Sequence, residues 1–288
     1  MLLQAAINGI LFGAVYAMIG IGFSLVWGVL RIVNLAHGSF IMVGAYISFT
    51  LFAAYGLDPF VSVPLVMVLL FVIAYFIQRL LINRIVQGPA FITLTFTFGL
   101  QILIANVCLL IWKADLRSAK LSYSSDSLFE NATITVPLVR FGIFAAAIIL
   151  TVLFYLFMRK TRTGIAINAT ALNYEGARTV GVDVGNIYAI TFALSAALAG
   201  AAGALMLPIT SMNPFFGGDI ISKAFVISVL GGLGSTAGAL VGGMALSLAE
   251  TLGTVFLPSS AQELIGFVFF VAILVFRPQG LLGKRFYG

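Results

Sequence analysis

Charge is what this chain has least of: Asp, Glu, Lys and Arg make up 8% of its 288 residues, against about 25% in a soluble domain. With 61% hydrophobic residues and a mean hydropathy of +1.15, that shortage excludes a water-soluble globular fold. The apolar runs are too long and too many for one anchor, so the chain is a polytopic integral membrane protein. Histidine and cysteine are nearly missing. Cys108 has no partner for an internal disulfide and lies in an apolar run, as a buried inert thiol would. His37 has no Cys, Asp or Glu at ligand spacing, so no metal site is expected, and a helix-end hydrogen bond is its expected role. The glycine-rich GGLGSTAG (Gly231 to Gly238) lacks the lysine of a phosphate-binding loop, and no G-x-S-x-G nucleophile elbow is present. No catalytic apparatus is expected.

A net charge of +6 does not point to nucleic acid, because no basic stretch is interleaved with aromatics. The tendency of basic residues to collect on the cytoplasmic side of a membrane explains it better. The opening residues MLLQAAINGILFG lack a basic region before a short apolar core and cleavage site, so they read as the start of a mature span.

Apolar segments fall near 4–30, 39–56, 60–82, 91–111, 140–158, 185–207, 223–256 and 262–276. GGLGSTAG divides 223–256 into two short passes, which gives eight or nine passes, some short or re-entrant. Between two spans lies a polar interval, RKTRTGIAINATALNYEGARTVGVD (Arg159 to Asp183), compact and helix-prone. Placing it in the cytosol puts Arg31, Arg79, Arg84, Arg159, Lys160, Arg162, Arg178, Arg277, Lys284 and Arg285 inside. Lys113, Arg117, Lys120, Arg140 and Lys223 then fall outside, and the balance supports an external N-terminus with a cytoplasmic C-terminus. The loop 112–139 is external in this scheme and ends in alternation suited to a short strand. It is a docking surface or a solvated connector.

Thirty glycines recur beside other small residues at four-residue spacing. Gly9, Gly13 and Ala17 form one stripe, and Gly20, Ser24 and Gly28 another. Ser195, Ala199 and Gly203, then Ala196, Gly200 and Ala204, then Gly234, Gly238 and Gly242 repeat the pattern. Such stripes let helix backbones approach closely where lipid removes the usual apolar drive. Polar residues within spans are the better functional clue: Asn34, His37, Thr93, Thr95, Thr97, Gln101, Asn106 and Glu250. Interhelical hydrogen bonding is the other reading for each of them. TLTFTFG (Thr93 to Gly99) alternates with period two, which suggests a broken or re-entrant segment lining a cavity. Glu250 lies seven residues before Leu257, roughly 10 Å by helical rise, and reads as a satisfied structural acid or an ion-coupling carboxylate.

Several stretches together resemble the membrane subunit of a branched-chain amino acid ABC importer. They are NGILFGAVYAMIGIGFSLVWGVLRIVNLAHGSFIMVGAY (Asn8 to Tyr46), TRTGIAINATALNYEGARTVGVDV (Thr161 to Val184), ALSAALAGAAGAL (Ala193 to Leu205), VLGGLGSTAGALVGG (Val229 to Gly243) and FRPQGLLG (Phe276 to Gly283). They cover nearly the whole chain, in order. The resemblance implies an all-α transmembrane bundle in a bacterial-type inner membrane, forming one permease domain over 1–288. It implies a second, homologous permease subunit, two cytosolic ATP-binding subunits and an extracytoplasmic solute-binding protein, with ATP used by the partners and no cofactor bound here. It also implies that 159–184 is a coupling loop, whose short helix near Asn173–Gly181 fits a groove on the ATPase. Thr170 or Asn173 can cap that helix, Glu175 suits its positive end, Arg178 its later turn, and Gly181 its stop.

Where the family usually has a basic residue this chain has Asn168, and Gly176 replaces a commoner alanine. Asn34, His37, Thr95 and Gln101 are the candidates for the translocation path or its gate. Two other readings stay open: the same machine carrying urea, short amides or polar amino acids, and a stand-alone ion-coupled carrier or channel using Glu250.

Overall fold

Backbone inside a bilayer has no water to bond with, so an apolar run satisfies itself by coiling into a helix. The computed structural model describes residues 1–131 and 134–282, and every expected apolar run in it is helical. In chain order the helices are α1 (Leu2–Leu30), α2 (His37–Tyr55), α3 (Pro59–Leu80), α4 (Ala90–Trp112) and α5 (Leu138–Lys160). After these come α6 (Arg162–Leu172), α7 (Tyr174–Thr179), α8 (Val184–Met206), α9 (Phe216–Gly231), α10 (Thr236–Gly253) and α11 (Gln262–Phe276). Among the described residues six helices are long and apolar enough to cross a membrane: α1, α2, α3 with its extension to Arg84, α4, α5 and α8. α9 and α10 reach that length only as a pair, bent by 115° at the expected glycine-rich break. α11 has 15 residues. Lys284 and Arg285, counted above with the basic residues, lie outside the described residues.

The small-residue stripes face other helices. Gly9 and Gly13 abut α10 at Leu248 and Met244, Gly20 abuts Ile227 of α9, and Gly28 lies against Gly234 in the bend. Gly44 of α2 meets the backbone of Gly200, and Gly203 meets the backbone of Ile41, so α2 and α8 touch main chain to main chain. A Cβ at Gly44 or Gly203 would collide with that backbone. α1 and α8 therefore form the axis of the bundle, each 89% buried over its most apolar window, while α4 is 11% buried over its own.

At one end of the bundle strands β1 (Ser127–Asn131) and β2 (Ile134–Pro137) form an antiparallel hairpin, the strand expected at the end of 112–139. Gln4 bonds it in both directions at Thr135 (2.8 and 2.9 Å). Below it Asp58 caps α3 by accepting from Phe60 N, and Tyr123 donates to the same carboxylate (2.5 Å). Burial, with that hydrogen bond second, holds the Tyr123 phenol well above its ordinary pKa.

Two sequence expectations are corrected. TLTFTFG is neither broken nor re-entrant, since it lies within the continuous helix α4. The non-helical segment is Arg31–Ala36, in front of α2. Arg31 closes α1 in a left-handed conformation (φ 55°), and the chain turns back along the bundle. Thr97 is what makes this tolerable: its hydroxyl accepts from Leu35 N (3.3 Å) and lies 3.1 Å from the Val33 carbonyl. The alternation was thus only half meaningful. Thr93 and Thr97 face inward one turn apart, while Thr95 is exposed. The second correction is Lys223, which is not in an outside loop but within α9, its side chain 16% exposed.

The close contacts set up a paired comparison. Alanine is preferred to glycine in a helix by about 1 kcal/mol, so Gly99→Ala, where a Cβ meets open space, should raise the thermal midpoint in detergent slightly. Gly44→Ala should lower stability by about 1–3 kcal/mol, the usual cost of overpacking. Equal midpoints for the two variants would contradict this packing.

Candidate functional site

The returning segment delivers His37 to the middle of the membrane-spanning bundle. Its Nε2 is 3.1 Å from the Ile19 carbonyl of α1, and its Nδ1 is 3.2 Å from Ser195 Oγ of α8. A carbonyl only accepts, so Nε2 carries the proton, and Nδ1 of the neutral ring accepts from the serine. Ile19 lies eleven residues before the end of α1, roughly 16 Å along it, so α2 starts deep inside. His37 is fully buried, as is Asn34, whose Oδ1 has no hydrogen-bond partner. Immediately after His37, Gly38 packs against Gly217 at the start of α9. The beginnings of α2 and α9 therefore meet at this depth, and neither has a side-chain cap.

A second polar group lies at the same depth. Lys223 Nζ is 3.3 Å from Glu250 Oε1, and Tyr16 OH (3.1 Å) and Gln262 Nε2 (3.0 Å) donate to Oε2 of the same carboxylate. Lys223 also donates to Tyr16 OH (3.0 Å) and reaches Glu263 at 3.8 Å. Tyr16 is the midpoint of α1. Glu250 is thus a satisfied acid binding α1, α9, α10 and α11 together, and with Lys223 and Glu263 it lines a cavity of only about 10 Å³.

The four path candidates do not converge on one point. Asn34 and His37 are interior. Gln101 is half-buried on α4, its Nε2 3.6 Å from where a Cβ on Gly218 would stand. Thr95 is exposed on α4 and donates to its own helix at Phe91 O (2.9 Å), as Asn106 does at Ile102 O (2.8 Å). One residue escaped the sequence reading. Asp219, in the first turn of α9, is exposed and makes no hydrogen bond or ion pair among the described residues. It sits between Gly217, held at Gly38, and Lys223, held at Tyr16. An acid four residues before a lysine in an apolar window was visible in sequence, but its outward direction was not.

At the end opposite the hairpin the chain makes an elbow. Thr161 caps α6 by accepting from Gly164 N (3.0 Å), and Asn173 caps α7 by accepting from Gly176 N (2.9 Å). Glu175 is in the first turn of α7, Arg178 in its last, and Gly181 follows with φ 88°. Thr170, the other expected cap, instead bonds back to Ala166 O within α6. Tyr174 donates to Glu175 (3.0 Å), and that bond raises the phenol pKa above its ordinary value. Asn168 donates to Met158 O (3.2 Å), so the departure there ties α6 to the end of α5. A Cβ at Gly176 would crowd the Asn173 amide at 3.3 Å, so glycine leaves the cap room. Asp183 caps α8, and Asn83 donates to Gly185 O (2.9 Å), joining the elbow to the end of α3. A cavity of about 300 Å³ opens here among Asn83, Gln87, Tyr174, Arg178 and Tyr188. Leu172 (82% exposed) and Val180 (79%) flank α7 with nothing covering them.

A family model described as branched-chain amino acid transport system / permease component matches residues 5–276. The chain is 31% identical to the high-affinity branched-chain amino acid transport system permease protein BraD of Pseudomonas aeruginosa, over 98% of this chain and 96% of that one. It is 29% identical to the corresponding permease protein LivH of Escherichia coli K12, over the same shares. A probable branched-chain amino acid transport permease protein of Methanocaldococcus jannaschii is 29% identical, over 98% and 92%. No solved structure matches the chain.

The buried ion pair gives a further expectation. Glu250→Leu leaves the largely buried Lys223 with only Tyr16 and the more distant Glu263 and should destabilise the chain by about 3 kcal/mol, the low end for breaking a buried pair. Lys223→Met combined with Glu250→Leu should recover most of that, as read by thermal melts in detergent. A double variant no better than the single one would show that the two charges do not compensate each other.

Proposed function

Because this chain belongs to the branched-chain amino acid transport permease family, we propose that it is the membrane-spanning permease subunit of an ATP-driven importer. In this reading the complex takes up branched-chain or other hydrophobic amino acids. The chain itself neither hydrolyses ATP nor holds a cofactor. Two cytosolic ATP-binding subunits supply the energy, a second permease subunit completes the path, and an extracytoplasmic binding protein delivers the solute. The membrane is a bacterial-type inner membrane, with the hairpin end outside and the α6–α7 end in the cytosol.

The observation that supports this most directly is the elbow. A six-residue capped helix bracketed by exposed Leu172 and Val180, with Glu175 and Arg178 between them, suits a protein groove better than open water. Its motion has a route inward. Thr161 joins it to α5, Asp183 to α8, and α8 holds Ser195 against His37. Displacement of α7 by ATP-driven closure of the partners would carry α8, and through His37 the deep end of α2, so that His37 and Asn34 act as the gate. The solute would pass where α4 meets the start of α9, beside Gln101.

A stand-alone carrier coupled through Glu250 fits less well, because that carboxylate is already bonded to Tyr16, Lys223 and Gln262. Reversing the charges with Glu175→Arg and Arg178→Glu should cut co-purification of the ATP-binding subunits by about tenfold or more, since mismatched interface charges cost several kcal/mol. The variant's thermal midpoint should stay unchanged. A variant that still brings down its ATPases and still drives uptake would refute the coupling role.

A further inference from the structure

An acidic side chain on the outside of a membrane bundle needs an explanation, because a charged group at the bilayer centre costs about 2.5–3.5 kcal/mol even on the mildest scale. Asp219 is such a group. Its depth is fixed from two sides. Two residues earlier, Gly217 packs on Gly38, the neighbour of His37. Four residues later, Lys223 bonds to Tyr16 at the midpoint of α1. Asp219 lies between these anchors and is exposed.

Other polar side chains on this surface are made tolerable locally. Thr95 and Asn106 fold back to donate to their own helix, which a carboxylate, an acceptor only, cannot do. Lys223 on the same helix does not neutralise Asp219, because it is committed to Glu250 and reaches Glu263. The residue before Asp219, Gly218, faces Gln101 of α4, whose Nε2 would lie 3.6 Å from a Cβ there and which makes no hydrogen bond among the described residues. Glycine at 218 leaves the space between the amide and the start of α9 unfilled. An acceptor and an amide donor, neither with a partner among the described residues, therefore belong to adjoining positions where α4 meets the start of α9 at mid-depth.

We infer that Asp219 and Gln101 form a recognition point in the translocation path for the zwitterionic head of an α-amino acid. Asp219 takes the ammonium, and Gln101 donates to the carboxylate. This rests on the transport function proposed above and adds to it the place where the solute's charges are matched inside the membrane. It also accounts for the exposed acid: the face opens onto a water-filled path, not onto lipid.

The test uses the assembled importer in proteoliposomes, with its binding protein, ATP and radiolabelled leucine. Asp219→Asn should lower uptake by about tenfold or more, the effect of withdrawing one charge-assisted hydrogen bond, while the ATP-binding subunits still co-purify in the same ratio. Asp219→Glu should restore most of the uptake. Leucine uptake within twofold of the unmutated complex for Asp219→Asn would overturn the assignment and leave the transport reading standing. Failure of the unmutated complex to import any amino acid would instead overturn that reading, and this site with it.

A second variant guards against an assembly defect. Cys108 is buried, so Asp219→Cys places one accessible thiol in the chain. That thiol should react with a water-soluble, cationic methanethiosulfonate reagent in the assembled complex, and leucine delivered by the binding protein should slow the reaction. An unreactive thiol would place residue 219 in lipid or in a dry interface and would sink the proposal.

Discussion

The six residues from Arg31 to Ala36 are non-helical backbone held inside a membrane bundle, and the surrounding structure is arranged around their needs. Unbonded amides and carbonyls are costly away from water. Thr97 meets two of them at Leu35 and Val33, and His37 closes the far end by reaching the Ile19 carbonyl. Satisfying the segment this way requires α4 beside it, α1 within reach of the imidazole, and α8 positioned to present Ser195. The start of α2 at mid-depth, and its meeting with α9 at Gly38 and Gly217, follow from that arrangement.

The packing of α2 against α8 is held by close approach more than by bulk. At Gly44, Gly200 and Gly203 the backbones touch, so neither helix can slide without breaking several contacts at once. Such a joint transmits rigid displacement. Polar ties repeat this logic at the α6–α7 end, where Asn186 accepts from Tyr75 (2.8 Å) and Asn83 donates to Gly185 O. α4 has few such ties and keeps most of its surface open.

Much of this was legible in the sequence because the signals were local. Long apolar runs became helices, and the stripe containing Gly9 and Gly13 found α10. Asn173 capped its helix because Asn two or three residues ahead of an amide is a short-range arrangement. The failures were non-local. TLTFTFG looked irregular because threonine hydroxyls can bond to their own helix, which lets Thr95 face outward without disturbing α4. Lys223 was misplaced because its partner Glu250 lies beyond a bend in the chain. Asp219 went unread because exposure is a property of the assembled bundle, and a first-turn acid has an ordinary local explanation in the helix dipole.

The burial of α1 has a consequence for how the protein is made. Its glycine faces are covered by α8, α9 and α10, and the last of these ends at Gly253. Translation at about 5–20 residues per second leaves the first helix without the full set of α8, α9 and α10 for roughly 10–45 s. During that interval its small-residue stripes and its polar Tyr16 face lipid, the insertion machinery or a chaperone. The most central helix of the finished bundle is thus the one that waits longest, and the N-terminal half cannot complete its own core before the C-terminal half arrives.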